Sequence, residues 1–254
     1  MQIARTTPSR KGVLEGKVAL ITGASRGLGR ALALSYAREG AKLSICARET
    51  TSLIAVKTEI ETLGGEVLSV SADVGERRDV ERLVAETLLR YDHIDVLVNN
   101  ASFLGPNPMP LLIDTPTDEY ERVLRTNVLG PFMLAKAVLP SMIERGQGSI
   151  INVISDAGIE VYENWGAYGA SKAALLQMTR IWAAELKGSG VRVNAVDPGE
   201  MDTQMHALAL PEEDPSKYPK PEEVVEVFLY LASNRSHRVN GRKLAAAEFE
   251  LPRS

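Results

Sequence analysis

From residue 17 onward, short apolar runs alternate with longer segments of helical periodicity, and this leaves few architectures open. The apolar runs 17–22, 42–47, 66–71, 94–98, 149–154 and 191–196, with a last one at 243–247, read as strands. Segments 27–39, 51–63, 76–91, 118–145, 167–187 and 221–233 carry apolar residues at helical spacing, with Gly40 and Gly64-Gly65 as stops and an interruption expected near Gly130-Pro131. Continuous apolar strands joined by helices are the mark of a parallel sheet covered on both faces, because parallel neighbours need crossover connections. The expected fold is therefore α/β: a doubly wound parallel sheet in three α/β/α layers. No linker, repeat or shift in composition divides it, so residues 1–254 read as a single domain, with a polar tail at 1–13 and a Pro-rich irregular loop at 200–220.

Composition narrows the partners. Hydrophobic residues make up 44% of the 254 and charged residues 24%, enough to fill a large core. The net charge of −4 and the scattered Lys and Arg give no basic footprint for nucleic acid. No apolar run in the sequence reaches the roughly 18 residues of a membrane span, and Met1 to Lys11 is too polar for a secretory signal. A lone cysteine, Cys46, excludes an internal disulfide and a thiolate zinc cluster, and its place in a strand makes it a core residue. The expected location is cytoplasmic.

The first strand runs into Thr22-Gly23-Ala24-Ser25-Arg26-Gly27-Leu28-Gly29 and then a helix. Glycines there allow a tight turn and close backbone approach to a pyrophosphate, and the helix N-terminus favours the anion. Three glycines in a turn can also be purely structural; their position at the first strand–helix turn favours a dinucleotide. The second strand then bears on which nucleotide. A carboxylate at its end would bind a ribose 2′-hydroxyl, but the segment reads Ile45-Cys46-Ala47-Arg48. Arg48, with Arg26 in the glycine turn, suits a 2′-phosphate instead, so NADP is the expected cofactor. Either arginine alone could equally be a solvated surface charge.

Tyr168 and Lys172 stand one helical turn apart in Tyr-Gly-Ala-Ser-Lys, and Ser155 follows the end of a strand. Reducing a carbonyl with hydride requires a proton for the nascent alkoxide, which a tyrosine can donate. A tyrosine titrates near pH 10, and a neighbouring ammonium lowers that value. Without context, such a pair is more often a surface contact and such a serine a cap or turn residue.

Taken together, these segments resemble the short-chain dehydrogenase/reductase family over Leu14 to Gly241. The resemblance rests on T-G-x-x-x-G-x-G at 22–29, Asn99-Asn100-Ala101, Ser155 thirteen residues before Tyr168, Y-x-A-S-K at 168–172, and N-x-V-x-P-G-x-x-x-T from Asn194 to Thr203. It implies a Rossmann-like fold and an oxidoreductase acting between NADP(H) and a ketone or secondary alcohol. Tyr168 would be the general acid/base, Ser155 would polarise the carbonyl, and Lys172 would bind the nicotinamide ribose and lower the tyrosine pKa. Asn127 would hold a water linking Lys172 to solvent. Gly23, Ser25, Arg26, Gly27, Leu28, Gly29 and Arg48 would carry the phosphates, with Asp73 and Val74 at the adenine. Asn100 and Ala101 would line the cleft, with Pro198, Gly199, Met201 and Thr203 around the nicotinamide.

Ser102, Asp156 and Glu200 depart from the family pattern, and Arg242 to Ser254 lacks its usual ending, which puts the last strand in question. The substrate pocket is expected from Phe103, Leu104, Ile159, Trp165, Met205, His206 and Leu208. His206 has no partner at metal-ligand spacing, so no metal is expected. The stretches 118–145 and 167–187 correspond to the family's dimer-forming pair, so a homodimer or homotetramer is expected. Two other readings remain open: a catalytically silent NADP-binding regulator on the same fold, and an isomerase or epimerase that uses a bound nucleotide with the same Tyr168–Lys172 pair.

Overall fold

The computed structural model describes residues 12–252. Among the described residues, seven parallel strands form one sheet: β1 (Val18–Thr22), β2 (Lys42–Ala47), β3 (Val67–Ser71), β4 (Val96–Asn99), β5 (Gly148–Val153), β6 (Val191–Asp197) and β7 (Lys243–Ala245). Their order is β3-β2-β1-β4-β5-β6-β7. The chain winds outward from β1 in one direction through β3 and in the other from β4, so a crevice opens beyond the C-terminal ends of β1 and β4. That switch point is where open parallel sheets bind ligands.

Alternate strand residues feed two cores. On one face Ile21, Ile45 and Val98 meet α1 (Gly27–Arg38), α2 (Thr50–Thr62) and α8 (Glu226–Ala232) through Leu32, Val56 and Phe228. On the other, Leu20, Leu97 and Ile150 meet α3 (Arg77–Tyr91), α5 (Gly130–Glu144) and the end of α6 (Gly166–Glu185) through Leu83, Leu134 and Trp182. Strands buried on both faces explain the unbroken apolar runs. Cys46 is fully buried in the second core, as its strand position implied.

Several expected boundaries shift. The helix over 118–145 does not break at Gly130-Pro131; α4 (Thr117–Leu124) passes through a π turn at Arg125–Leu129 into α5. Pro131 has no N–H for the Asn127 carbonyl, and the turn ahead of it widens instead of ending the helix. Thr117–Glu144 thereby has the length and hydropathy of a membrane crossing, yet Leu134, Ala135, Val138 and Met142 pack into the core.

The 199–220 stretch contains a helix, α7 (Gln204–Ala209), started by the Thr203 hydroxyl, which accepts a hydrogen bond from the His206 amide at 3.2 Å. A short 3-10 turn, Pro221–Val224, precedes α8 where one continuous helix was expected. β7 forms despite the atypical tail, pairing Val196 with Leu244. Of the expected polar tail, only Gly12 and Val13 lie among the described residues.

Candidate active site

A cavity of about 870 Å³ opens at the switch point. Every residue expected to act on the cofactor or as a catalytic group lines it except Asn127. The glycine turn forms one wall. A Cβ on Gly29 would stand 2.2 Å from the Gly23 carbonyl, and one on Gly23, whose φ is +65°, would stand 2.8 Å from the Ala101 Cα. These contacts leave no room for a side chain. The Asn100 amide donates to the carbonyls of Thr22 (2.8 Å) and Gly23 (3.2 Å), tying β4 to the turn. The Thr22 hydroxyl accepts from the amides of Asn100 and Ala101, both at 3.0 Å.

Beyond β2 the wall is cationic. Arg48 lies 4.0 Å from the Asp73 carboxylate and is half-exposed. Arg26 reaches across the cleft to the Gln204 side chain at 2.6 Å. Glu49, the carboxylate that follows Arg48, is committed elsewhere: it accepts from the Thr51 and Ser52 amides, each at 2.8 Å, and caps α2. Those bonds, with one from the Ser52 hydroxyl, pull its carboxyl down to about 2. The Asp73 carboxylate is held in its own turn by the Gly75 amide at 2.8 Å.

At the other end, the C-terminus of β5 delivers Ser155 beside α6, which presents Tyr168 and Lys172 on one face. Both are buried. The Lys172 ammonium lies 5.3 Å above the Tyr168 ring and donates to the Val153 carbonyl at 2.9 Å. Burial pushes the Tyr168 phenol up to about 12, outweighing the hydroxyls of Ser102 and Ser155, which bond it and pull it down. Burial also lowers the Lys172 ammonium to about 8, against the opposing pull of Asp197. The expected depression of the tyrosine by Lys172 is thus overruled here by loss of hydration. Ser155 donates to Asp156 Oδ1 at 2.8 Å, and Tyr162 donates to Oδ2 of the same carboxylate at 2.9 Å.

Asn127 is buried behind this group. Its amide donates to the Phe103 carbonyl and to Ser171 Oγ, both at 2.9 Å, and its Oδ1 accepts from the Phe103 amide at 2.8 Å. Its side chain holds the β4 loop against α6 and does not face the cavity. Sequence reasoning missed two residues here. Asp197, at the end of β6, faces Lys172, forms an ion pair with the Lys243 ammonium of β7 at 3.6 Å, and was legible only as a carboxylate ending a parallel strand. Ser102, noted as a departure, stands in hydrogen-bond reach of the Tyr168 hydroxyl.

The substrate end differs more from expectation. Leu104, Trp165, Met205 and His206 line it, but Phe103, Ile159 and Leu208 do not. Arg122 covers the Phe103 ring at 4.2 Å, while Ile159 and Leu208 point to solvent. Tyr162, Leu210 and the carboxylates Asp156, Glu200 and Glu213 take their place, so this end is acidic. The loop also supplies His206 with the neighbours that its sequence spacing did not: its ligand atoms and those of Glu200 and Glu213 all lie within 4.8 Å of one another.

The short chain dehydrogenase family model matches residues 17–214. The chain is 39% identical to the 3-oxoacyl-(acyl-carrier-protein) reductase of Thermotoga maritima, over 90% of this chain and 95% of that protein. It is 34% identical to the 2-(R)-hydroxypropyl-CoM dehydrogenase of Xanthobacter autotrophicus, over 90% and 96%. Among solved structures, a short chain dehydrogenase of Escherichia coli CFT073 complexed with NADPH superposes with a TM-score of 0.86 at 31% identity, covering 94% of this chain and 99% of that one. Another, of Shigella flexneri, complexed with NADP, gives the same score and identity over 94% and 100%.

Proposed function

The chain belongs to the short-chain dehydrogenase family, and from that premise we propose that it moves hydride between NADP(H) and a ketone or secondary alcohol, with Tyr168 as general acid/base. The observation that carries the reading is the meeting of Tyr168, Ser155 and Lys172 in the same cavity as the glycine turn. The residues present fit the cofactor. The cradle at Gly23 and Gly29 admits backbone contact with a pyrophosphate. Arg26 and Arg48 supply guanidinium groups for a 2′-phosphate, and Glu49 is spent on the α2 cap. NADPH, when bound, supplies the hydride.

The protein supplies the rest. Tyr168 holds a proton on its phenolic oxygen, and a phenol at about 12 keeps it through neutral pH, available for a nascent alkoxide. The hydroxyls of Ser102 and Ser155 stand beside it and pull its pKa down against burial. Lys172 places a buried ammonium beside the phenol, where it can hold ribose hydroxyls and stabilise phenolate once the proton has left. Asn127 is a positioning residue that fixes the loop carrying Ser102 through Phe103 and Ser171. The acidic substrate end favours neutral or cationic carbonyl compounds over anionic ones.

The exposed Leu129, Phe132, Ile143 and Ile181 lie on the α4–α5 and α6 helices and support a homo-oligomer formed there; a monomer in sedimentation at micromolar concentration would contradict it. The activity is tested with a panel of ketones, aldehydes and sugars, assayed with NADPH and NADH in parallel. The expected result is consumption of NADPH, with at least tenfold preference over NADH. A preference for NADH would overturn the reading of Arg48 and Arg26, and cofactor binding without turnover on any carbonyl would favour a silent regulator.

A further inference from the structure

We propose that the substrate loop carries a binding site for a first-row divalent cation of the Zn²⁺ or Mn²⁺ kind, formed by Glu200, His206 and Glu213. His206 is 8% exposed, and neither of its ring nitrogens has a hydrogen-bond partner among the described residues. A buried imidazole normally finds one, so the absence points to a missing ligand. Its Nε2 lies 3.9 Å from Glu213 Oε2, and all three ligand atoms fall within 4.8 Å of one another. Metal–ligand bonds of about 2.1 Å need ligand atoms about 3–3.5 Å apart. Both carboxylates are on exposed side chains, which can rotate inward by that much.

Supporting contacts hold the ligands in place. The Tyr218 hydroxyl donates to Glu213 Oε2, and the Tyr218 ring packs on the imidazole with centroids 4.4 Å apart. The Thr203 hydroxyl fixes the first turn of α7, from which His206 projects. A carboxylate held by a hydroxyl and a histidine held by packing are the outer-shell features of a metal site. One imidazole with two carboxylates suits Zn²⁺ or Mn²⁺; Mg²⁺ and Ca²⁺ prefer all-oxygen shells. Glu200 directly follows Pro198-Gly199, so a bound ion would join the end of β6 to α7 and to the segment before Pro215. It would thereby fix the acidic wall of the cavity.

The test uses the full chain after treatment with EDTA, titrated with MnCl₂, ZnCl₂ and MgCl₂ by calorimetry and followed by thermal melting. The expected result is one Mn²⁺ or Zn²⁺ per chain, a rise of several degrees in Tm at saturation, and little response to Mg²⁺. Glu213→Gln should weaken uptake at least tenfold, and His206→Gln should abolish it. Glu213 is at the surface, so its variant tests the site even if His206→Gln disturbs the loop. No uptake, uptake unchanged in both variants, or stabilisation by methylammonium but not by either metal would overturn the proposal. These readouts need no carbonyl turnover, so they stand apart from the test of hydride transfer.

Discussion

Replacing Lys172 with methionine should make the protein more stable at neutral pH. The side chain is 2% exposed, and burial lowers its ammonium from 10.5 to about 8. At about 1.4 kcal/mol per decade, that gap corresponds to about 3 kcal/mol of destabilisation while the lysine is charged in both states. Methionine fills much the same volume without the charge but loses the bond to the Val153 carbonyl, worth about 1 kcal/mol. The net gain is about 2 kcal/mol at pH 7, which for a chain of this size raises Tm by roughly 4–8 °C. The sign follows from proton binding: between about pH 8 and 10.5 the unfolded chain holds the proton that the folded chain has lost. Wild-type stability therefore rises with pH across that window, and the variant lacks this gain. Urea unfolding of both proteins at pH 7, 8.5 and 10.5 should show the advantage of Lys172→Met shrinking and then reversing. A variant no more stable than wild type at pH 7, or an advantage that stays constant to pH 10.5, would refute the reasoning.

Two further substitutions probe other parts of the site. Arg48→Ala should raise the KM for NADPH about 10–100-fold, the effect of a lost charge-assisted hydrogen bond, while leaving that for NADH within a factor of two; equal effects on both would remove Arg48 from 2′-phosphate recognition. Asn127→Ala should cost on the order of 3 kcal/mol in urea unfolding, because it orphans half-buried backbone groups of Phe103 and the buried Ser171 hydroxyl; a loss below about 0.5 kcal/mol would show that this network is not structural.

The inner strands were legible because they are buried on both faces, so 18–21 and 96–98 read as unbroken apolar runs. Their order was not, since pairing such as Ile21 with both Ile45 and Val98 depends on contacts far apart in sequence. The glycine turn and the Tyr168–Lys172 pair are local patterns and could be read directly. The charge balance between them could not. Adjacency in sequence predicted a depressed tyrosine, whereas the burial of both side chains, set by the packing of α6 on the sheet, reverses the net direction. Asp197 and the Glu200–His206–Glu213 group come together through the fold of β6 and the loop after it, where no helical or strand period links the residues. The helix interruption was placed a few residues late because Pro131 acts on the turn preceding it.

The central claim is that Tyr168 supplies the proton for carbonyl reduction, and Tyr168→Phe tests it most directly. NADPH binding by fluorescence and NADPH consumption with the most active carbonyl compound should be measured side by side in wild type and variant. The account predicts NADPH affinity within about twofold of wild type and a fall in kcat of about 10²–10⁴, the usual worth of a positioned acid. Near-normal turnover by the variant, with NADPH still bound, would contradict it.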